Sequence, residues 1–390
     1  MAEAYIVAAT RTAGGRKKGK LAGWHPADLA GKVLDNLVDR VGADPALVED
    51  VIMGCVGQAG EQGNNVARGA VLASKFPESV PATSVDRQCG SSQQALHFAA
   101  QAVMSGSMDI VIAAGVESMT RVPMGTPVIL PAKEGLGSPM SPAQKKRYPN
   151  IQFSQFMGAE MVARKYGLTK DQLDEYAYLT HQKAIAATQG GAFKNEILPI
   201  EIADEAGEKS LHTVDEGIRF DASLDAIKGV KLLQEGGAIT AATSSQICDG
   251  ASGVMIVSEA GLKTLGVEPL ARIHHLTVTG GDPVIMLEAP LPGTMKALEK
   301  AGMKIDDIDI FEVNEAFASV PVAWLQYTHA DPDKLNVNGG AIALGHPLGA
   351  SGAKLMATLV HALKNRNKRW GLQTMCEGGG LTNVTIVERL

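Results

Sequence analysis

The feature that most restricts how this chain can fold is an alternation of short, wholly apolar runs with longer segments of helical period. Val51-Ile52-Met53 is followed by a helical pattern over Gln93–Met104, and then by Ile110-Val111-Ile112-Ala113-Ala114. Runs this apolar suit strands buried on both faces, and the helices between them suit crossovers, so the pattern predicts an α/β protein. At 390 residues the chain exceeds one ordinary core, so two or more packed units are expected. A composition 45% hydrophobic and 20% charged supplies the interior this requires and argues against disorder.

The order of events repeats. Val48 to Cys55 precedes a loop, Cys89-Gly90-Ser91-Ser92 opens a helix, and a strand ends Gly115-Val116-Glu117-Ser118. In the second half Ile305 to Glu312 precedes a loop, Gly345-His346-Pro347 opens a helix, and a strand ends Met375-Cys376-Glu377-Gly378-Gly379-Gly380. This weak repeat predicts two duplicated α/β halves meeting at a shared site, with Cys89 and His346 at equivalent corners near helix N-termini. Between them, about Thr120 to Thr240 differs in composition. It has a Pro/Gly/Met/Lys-rich stretch over Val122–Asn150, helical patterns at Phe156–Tyr166 and Lys170–Thr188, and an acidic span at Glu201–Asp221. Such an excursion from a compact core commonly carries a binding surface.

A net charge of -6 removes any general electrostatic case for nucleic-acid binding. Three basic clusters, Arg16-Lys17-Lys18, Lys145-Lys146-Arg147 and Lys364–Arg369, read as solvated surface, the middle one alternatively as an attractor for an anionic ligand. Cys55, Cys89, Cys248 and Cys376 are far apart and show no CxxC spacing, so neither a metal site nor a disulfide framework is expected, and a reducing cytoplasm fits best. No apolar run reaches the roughly 18 residues of a membrane span. The start reads as a strand and the end, Glu388-Arg389-Leu390, is not the usual peroxisomal tripeptide.

Four positions suggest chemistry. Cys89, in Asp86-Arg87-Gln88-Cys89-Gly90-Ser91-Ser92, precedes an amphipathic run, and a helix N-terminus favours a thiolate. Read alone, it could equally be a small buried apolar residue. His346 lies in a glycine-rich turn, with Pro347 suited to a first helical turn; it is a candidate general base or a capping histidine. The glycines after Cys376 present backbone N–H groups as an oxyanion hole would, or as a phosphate-binding or structural turn would, but fit no nucleotide-binding pattern. Asn314, in Asn314-Glu315-Ala316-Phe317, could hold a water or an oxyanion, or merely cap a turn.

Taken in order, CGS at Cys89, NEAF at Asn314, GHP at His346 and C-x-G-G-G at Cys376 resemble the thiolase family, and the resemblance runs from Ile6-Val7-Ala8-Ala9-Thr10-Arg11-Thr12 to the final strand. It implies a five-layered αβαβα fold of two duplicated α/β halves, 1–119 and 250–390, with an inserted loop domain, 120–249, over a coenzyme A site. It also implies an acyltransferase cleaving or forming 3-oxoacyl-CoA by reversible Claisen chemistry. Cys89 would be the acylated nucleophile, His346 its base and Cys376 the acid–base thiol. Asn314 and His346 would hold the enolate oxygen through a water, and the N–H groups of Cys89 and Gly378 would form a second oxyanion hole. No metal or permanently bound cofactor is implied; coenzyme A and acyl-CoA enter as substrates.

More softly, the resemblance places Arg219 near the adenine of coenzyme A, Ser245 near the pantetheine, and Ala316 and Phe317 along the same tunnel. It implies a homodimer or homotetramer. Where many short-chain biosynthetic members have His-Met-Gly, this chain has Phe156-Met157-Gly158, and Leu233 and Met286-Leu287-Glu288-Ala289-Pro290 also depart from their pattern. The expectation is therefore degradative thiolysis of 3-oxoacyl-CoA, of the fatty-acid β-oxidation type, over short-chain acetoacetyl-CoA synthesis. Decarboxylating condensing enzymes share the fold but lack the second cysteine, and a non-catalytic acyl-CoA or sterol-binding relative would lack one of the four positions.

Overall fold

The computed structural model describes residues 3–204 and 206–390. The first half contains β1 (Tyr5–Thr12), α1 (Pro26–Val41), β2 (Asp50–Gly54), β3 (Ala82–Val85), α2 (Ser91–Met104) and β4 (Ile110–Ser118). The insertion carries α3 (Gln155–Lys165) and α4 (Lys170–Gln189). After it come β5 (Cys248–Val257), β6 (Ala271–Gly280), α5 (Pro290–Ala301), β7 (Ile310–Val313), α6 (Ser319–Thr328), α7 (Ser351–Asn365), β8 (Trp370–Glu377) and β9 (Leu381–Glu388). The strands run β7-β8-β9-β6-β1-β5-β4-β2-β3. The two sheets meet along a short antiparallel seam, Tyr5 opposite Arg272 and Ile6 opposite Ala271.

Both halves use one plan. β2 and β4 pair in parallel, as do β7 and β8, and each second strand lies antiparallel to the next, β5 or β9. Equivalent positions lie 260 residues apart, as in Ser91 and Ser351 or Glu117 and Glu377. The equivalence extends to side chains: Glu49 accepts the N–H of Ile110 at 3.1 Å, and Asp309 accepts that of Trp370 at 2.8 Å. β5 pairs with β1 and β4, so residues 250–257 complete the first sheet, although the sequence reading began the second half at 250.

The layers follow from which faces are apolar. α1 opens on Pro26, with His25 accepting from Ala27 N–H, and ends at Gly42 in the left-handed region (φ 63°); its one buried stripe covers the outside of β1, β4 and β5. α7 is buried from Ser351 through Leu363, so it can only be a central element. It packs with α2 between the two sheets, while α5 covers β6 and β9 outside. The result is αβαβα. Where α7 crosses α2, a Cβ on Gly352 would come within 2.1 Å of the Gln93 nitrogen, so only glycine permits this approach. Ser92 Oγ accepts the Ala353 N–H at 2.9 Å across the same crossing.

The insertion is tied down by charge as well as packing. Arg11 on β1 bonds Glu196 at 2.7 Å and Asp215 at 2.8 and 3.0 Å, all three side chains being fully buried. Removing one partner of such a set leaves an uncompensated buried charge, a cost of about 3–5 kcal/mol. The acidic span folds in part as a ribbon, Ile200–Ala203 against Lys209–His212. The basic cluster Lys145-Lys146-Arg147 ends an exposed short helix, Pro142–Arg147. No helix among the described residues is long and apolar enough to cross a membrane.

Candidate active site

Cys89 stands between β3 and α2 in a turn so tight that Gln88 adopts φ 51°. Asp86 Oδ1 accepts the Gln88 N–H at 2.7 Å, and Ser91 Oγ accepts from Arg87 N–H while donating to the Gln88 carbonyl. A Cβ on Gly90 would lie 1.9 Å from Glu377 Oε1, so glycine is what lets this turn and the β8–β9 turn touch. That second turn brings the N–H of Gly378 to the Cys89 sulfur, which also faces its own N–H. The Cys89 and Gly378 N–H groups thus both favour negative charge at this spot, and both residues line one cavity. Cys376 is fully buried, and burial first, then negative charge on Cys89, makes its thiol a much weaker acid than usual.

His346 and Asn314 are also brought together. Asn314 Nδ2 lies 3.4 Å from His346 Nε2. On the other side, His346 Nδ1 is 2.6 Å from Ser351 Oγ, and that hydroxyl donates to the Pro347 carbonyl at 2.8 Å. A hydroxyl has one proton, so Nδ1–H donates to Ser351 and Nε2 keeps the lone pair. Cys89 packs with Leu348, Leu355 and Met375, so the Cys89 loop, the His346 loop and β8 share one small cluster.

Two local expectations are corrected. The loops 86–90 and 346–350 are equivalent, but Cys89 corresponds to Gly349 and His346 to Asp86, a displacement of three positions. Pro347 does not begin the α-helix: it is extended (ψ 101°) and precedes a single 3-10 turn, Leu348–Ala350. First-half side chains hold the loop there, Glu117 taking the Gly349 N–H at 2.8 Å and Ser252 donating to the Ala350 carbonyl at 2.6 Å.

The thiolate expected from the helix N-terminus is also overruled. Burial pushes the Cys89 thiol up to about 12, with the Glu377 charge adding to it, against the opposing N–H groups of Cys89 and Gly378. The first N–H groups of α2 do not help, because those of Gly90 and Ser91 are taken by the carbonyls of Arg87 and Gln88. Glu377 is itself pushed up by burial to about 8, so near neutral pH it is mostly protonated and burial carries most of the effect on the thiol. Burial, helped by the Lys354 ammonium, lowers His346 to about 3. The resting pair is therefore a neutral thiol and a neutral imidazole.

A cavity of about 500 Å³ opens onto Cys89 and Gly378. Its walls are largely apolar, with Met119, Val122, Met124, Val128, Phe153, Met286 and Leu348 among them. A second cavity of about 390 Å³ is lined by Arg219, His181, Ser223, Ser244 and Gln246 among others. Of the other residues assigned to coenzyme A, Ser245 donates its N–H to the Ala316 carbonyl at 2.9 Å, and Ser244 bridges Phe317. Met157 is half-exposed on α3, next to Phe156, whose ring meets that of Phe317 at 5.5 Å. The basic cluster 145–147 lines neither cavity.

The models of the thiolase N-terminal domain and C-terminal domain match residues 4–260 and 267–389. The chain belongs to the thiolase family. It is similar to the steroid 3-ketoacyl-CoA thiolase of Mycobacterium tuberculosis, at 49% identity over 100% of this chain and 95% of that protein. It is also similar to the 3-ketoacyl-CoA thiolases of Pseudoalteromonas translucida, at 42% over 99% of this chain and 98% of the relative, and Psychrobacter cryohalolentis, at 41% over 99% and 97%. Like the family fold, this thiolase has two α/β halves around a buried helical layer. Among the described residues no group of three or more His, Cys, Asp or Glu side chains is placed to hold a metal ion.

Sequence reasoning passed over several residues at this site. Glu117 ties the Val56, Gly57 and Gly349 N–H groups together. Glu315, inside the NEAF motif, accepts from Tyr176, Thr180, Asn336 and the Ile342 N–H, joining α4 to the site. Ser351 orients His346. Glu315 sat within a quoted motif and the repeat pointed to Glu117, but Ser351 gave no signal.

Proposed function

We propose that this thiolase cleaves 3-oxoacyl-CoA with coenzyme A, through an acyl-cysteine at Cys89, and that it also runs the reverse condensation. The observation that carries this reading is the convergence of the Cys89 and Gly378 N–H groups at the Cys89 sulfur, on the wall of an apolar cavity. The thiol and imidazole are both neutral at rest, so the thiol proton passes to His346 Nε2 as sulfur attacks the 3-oxo carbon. The bond between C2 and C3 then breaks, and its electrons form the enolate of acetyl-CoA. Asn314 and His346 hold that enolate oxygen through a water, and Cys376 delivers a proton to the carbon. The Cys376 thiolate takes the thiol proton of coenzyme A as its sulfur attacks the acyl-cysteine, and the Cys89 and Gly378 N–H groups hold the tetrahedral oxyanion. The C–S bond to Cys89 then breaks, Cys89 regaining its proton from His346 as the shortened acyl-CoA leaves.

Arg219 lines the second cavity, which we take as the coenzyme A end of the site; Ser245, Ala316, Phe317 and Met157 border the route between. The segment 120–249 serves as the loop domain over that route. For the acyl group, the 49% identical relative bears a steroid 3-ketoacyl-CoA name. The cavity's methionine and aliphatic walls suit a long or polycyclic acyl group, so we assign a 3-ketoacyl-CoA thiolase over a short-chain biosynthetic acetoacetyl-CoA thiolase. β3 ends the sheet with one edge unpaired, which supports a homodimer or homotetramer, and free thiols at all four cysteines support a cytoplasmic setting.

The test is coenzyme A-dependent thiolysis of acetoacetyl-CoA, a long-chain 3-oxoacyl-CoA and a steroid-derived 3-oxoacyl-CoA, with Cys89→Ala and Cys376→Ala as controls. Turnover favouring the bulky substrates and lost in both variants supports the assignment. Preference for acetoacetyl-CoA would reassign it as a short-chain enzyme, and binding without turnover of any substrate would make it a non-catalytic relative.

A further inference from the structure

Beside Asn314 and Ser351 lies a small cavity of about 20 Å³, lined by none of the residues that line the one reaching Cys89. Glu312, Asn314, Gly340, Ser351, Lys354 and Thr358 are among its lining residues. One water needs about 10–15 Å³ on this measure, together with two to four polar partners. Two buried acceptors on the cavity's own residues have no protein donor: Asn314 Oδ1 and Glu312 Oε1. Native proteins rarely leave such atoms unsatisfied, because a buried acceptor without a donor loses its hydration for nothing.

Several side-chain donors on the wall are engaged elsewhere. Lys354 Nζ bonds the carbonyls of Leu344 and Gly345, Thr358 donates to Glu196 at 2.9 Å, and Ser351 donates to Pro347. This matters for the amide. Asn314 faces the lone pair of His346 Nε2, so its NH2 must point that way and its oxygen must point back. An amide turned over would set two lone pairs against each other at the histidine. Among the described residues no donor bonds that oxygen.

We propose that a water molecule bound in this cavity donates to Asn314 Oδ1, and that Glu312 anchors that water and so fixes which face of the Asn314 amide meets His346. Glu312 is thus a positioning residue acting through Asn314. Burial pushes its carboxyl well above the usual range, with the Glu196 and Glu315 charges adding to it, so it sits as the neutral acid. The acid O–H donates to the water, which leaves both water protons for acceptors. This water is distinct from the one that holds the enolate oxygen, since the cavity's wall includes neither Cys89 nor Cys376.

The proposal rests on the catalytic reading of Asn314, and a double-mutant cycle separates the two. Glu312→Ala should lower kcat for thiolysis about tenfold with KM within about twofold, while Glu312→Gln, whose amide can still donate, stays within about threefold of wild type. In an Asn314→Ala background, Glu312→Ala should cost nothing further. Equal losses in both backgrounds, or a Gln variant as poor as Ala, would overturn the role of Glu312. If Asn314→Ala alone leaves kcat unchanged, the catalytic reading of Asn314 fails instead. Where Glu312→Ala does not fold, a high-resolution crystal structure of the unmodified protein decides: a water within hydrogen-bond reach of Asn314 Oδ1 and Glu312 is expected. A dry cavity, or an amide turned the other way, would refute the proposal.

Discussion

The two halves of this thiolase have the same strands, the same crossover helix and the same turns, yet carry different chemistry at matching places. The first half has Asp86, Cys89 and Glu117 where the second has His346, Gly349 and Glu377. Glu117 is pinned by the N–H groups of Val56, Gly57 and Gly349 and by Gln62, each at 2.8–2.9 Å. Its counterpart Glu377 accepts the Asn383 N–H at 3.0 Å and leaves Oε2 without a partner. By the repeat, the donor matching Gly349 N–H is Cys89 N–H, which turns to its own sulfur rather than to a carboxylate. The scaffold is shared by both halves; what differs is which backbone donors each carboxylate takes up.

The comparison can be broken most sharply at the displaced pair. His346→Ala should lower kcat for thiolysis by about 10²–10⁴, the range for losing a general base, whereas Asp86→Ala should cost far less. Steady-state kinetics on both variants checks this; comparable losses would mean the loops share the catalytic task.

The matching serines come next. Ser351 sets the tautomer of His346, so Ser351→Ala should lower kcat about tenfold and change the pH profile. Ser91 only closes its own turn, so Ser91→Ala should cost about 1 kcal/mol of stability with kcat within about twofold, measured by denaturation and assay together.

The glutamates give a smaller and pH-dependent difference. Glu377 is raised to about 8 from an ordinary value of 4.5, so the folded protein binds its proton more tightly than the unfolded chain. This group's contribution is most favourable below pH 4.5 and is lost as pH rises towards 8, so Glu377→Gln should flatten the decline in stability over that interval. Once ionised, the carboxylate also opposes a Cys89 thiolate. At pH 9, Glu377→Gln should therefore speed alkylation of Cys89 by iodoacetamide about threefold to tenfold, a slower or unchanged rate counting against the coupling.

The parts of this molecule readable in the sequence are those written locally. CGS, NEAF, GHP and C-x-G-G-G are short turns whose glycines and small residues declare themselves, and the apolar runs gave the α/β plan with its repeat. The parts that escaped depend on partners far away in the chain. Glu117 and Gly349 are 232 positions apart, and the thiolate expected at Cys89 failed because burial, invisible in one dimension, outweighs a helix terminus. The three-residue displacement of His346 from Cys89 needed the strand registers before it could be counted.

The glycine crossing of α2 and α7 has a mechanical consequence. With Gly352 set against the Gln93 backbone and Ser92 bonded to Ala353, the two central helices are clamped within a residue or two of where each begins. Cys89 lies two residues before α2, and His346 lies before the 3-10 turn that leads into α7. The spacing of the two loops that precede these helices is thus gauged at the clamp, by a contact where only glycine fits.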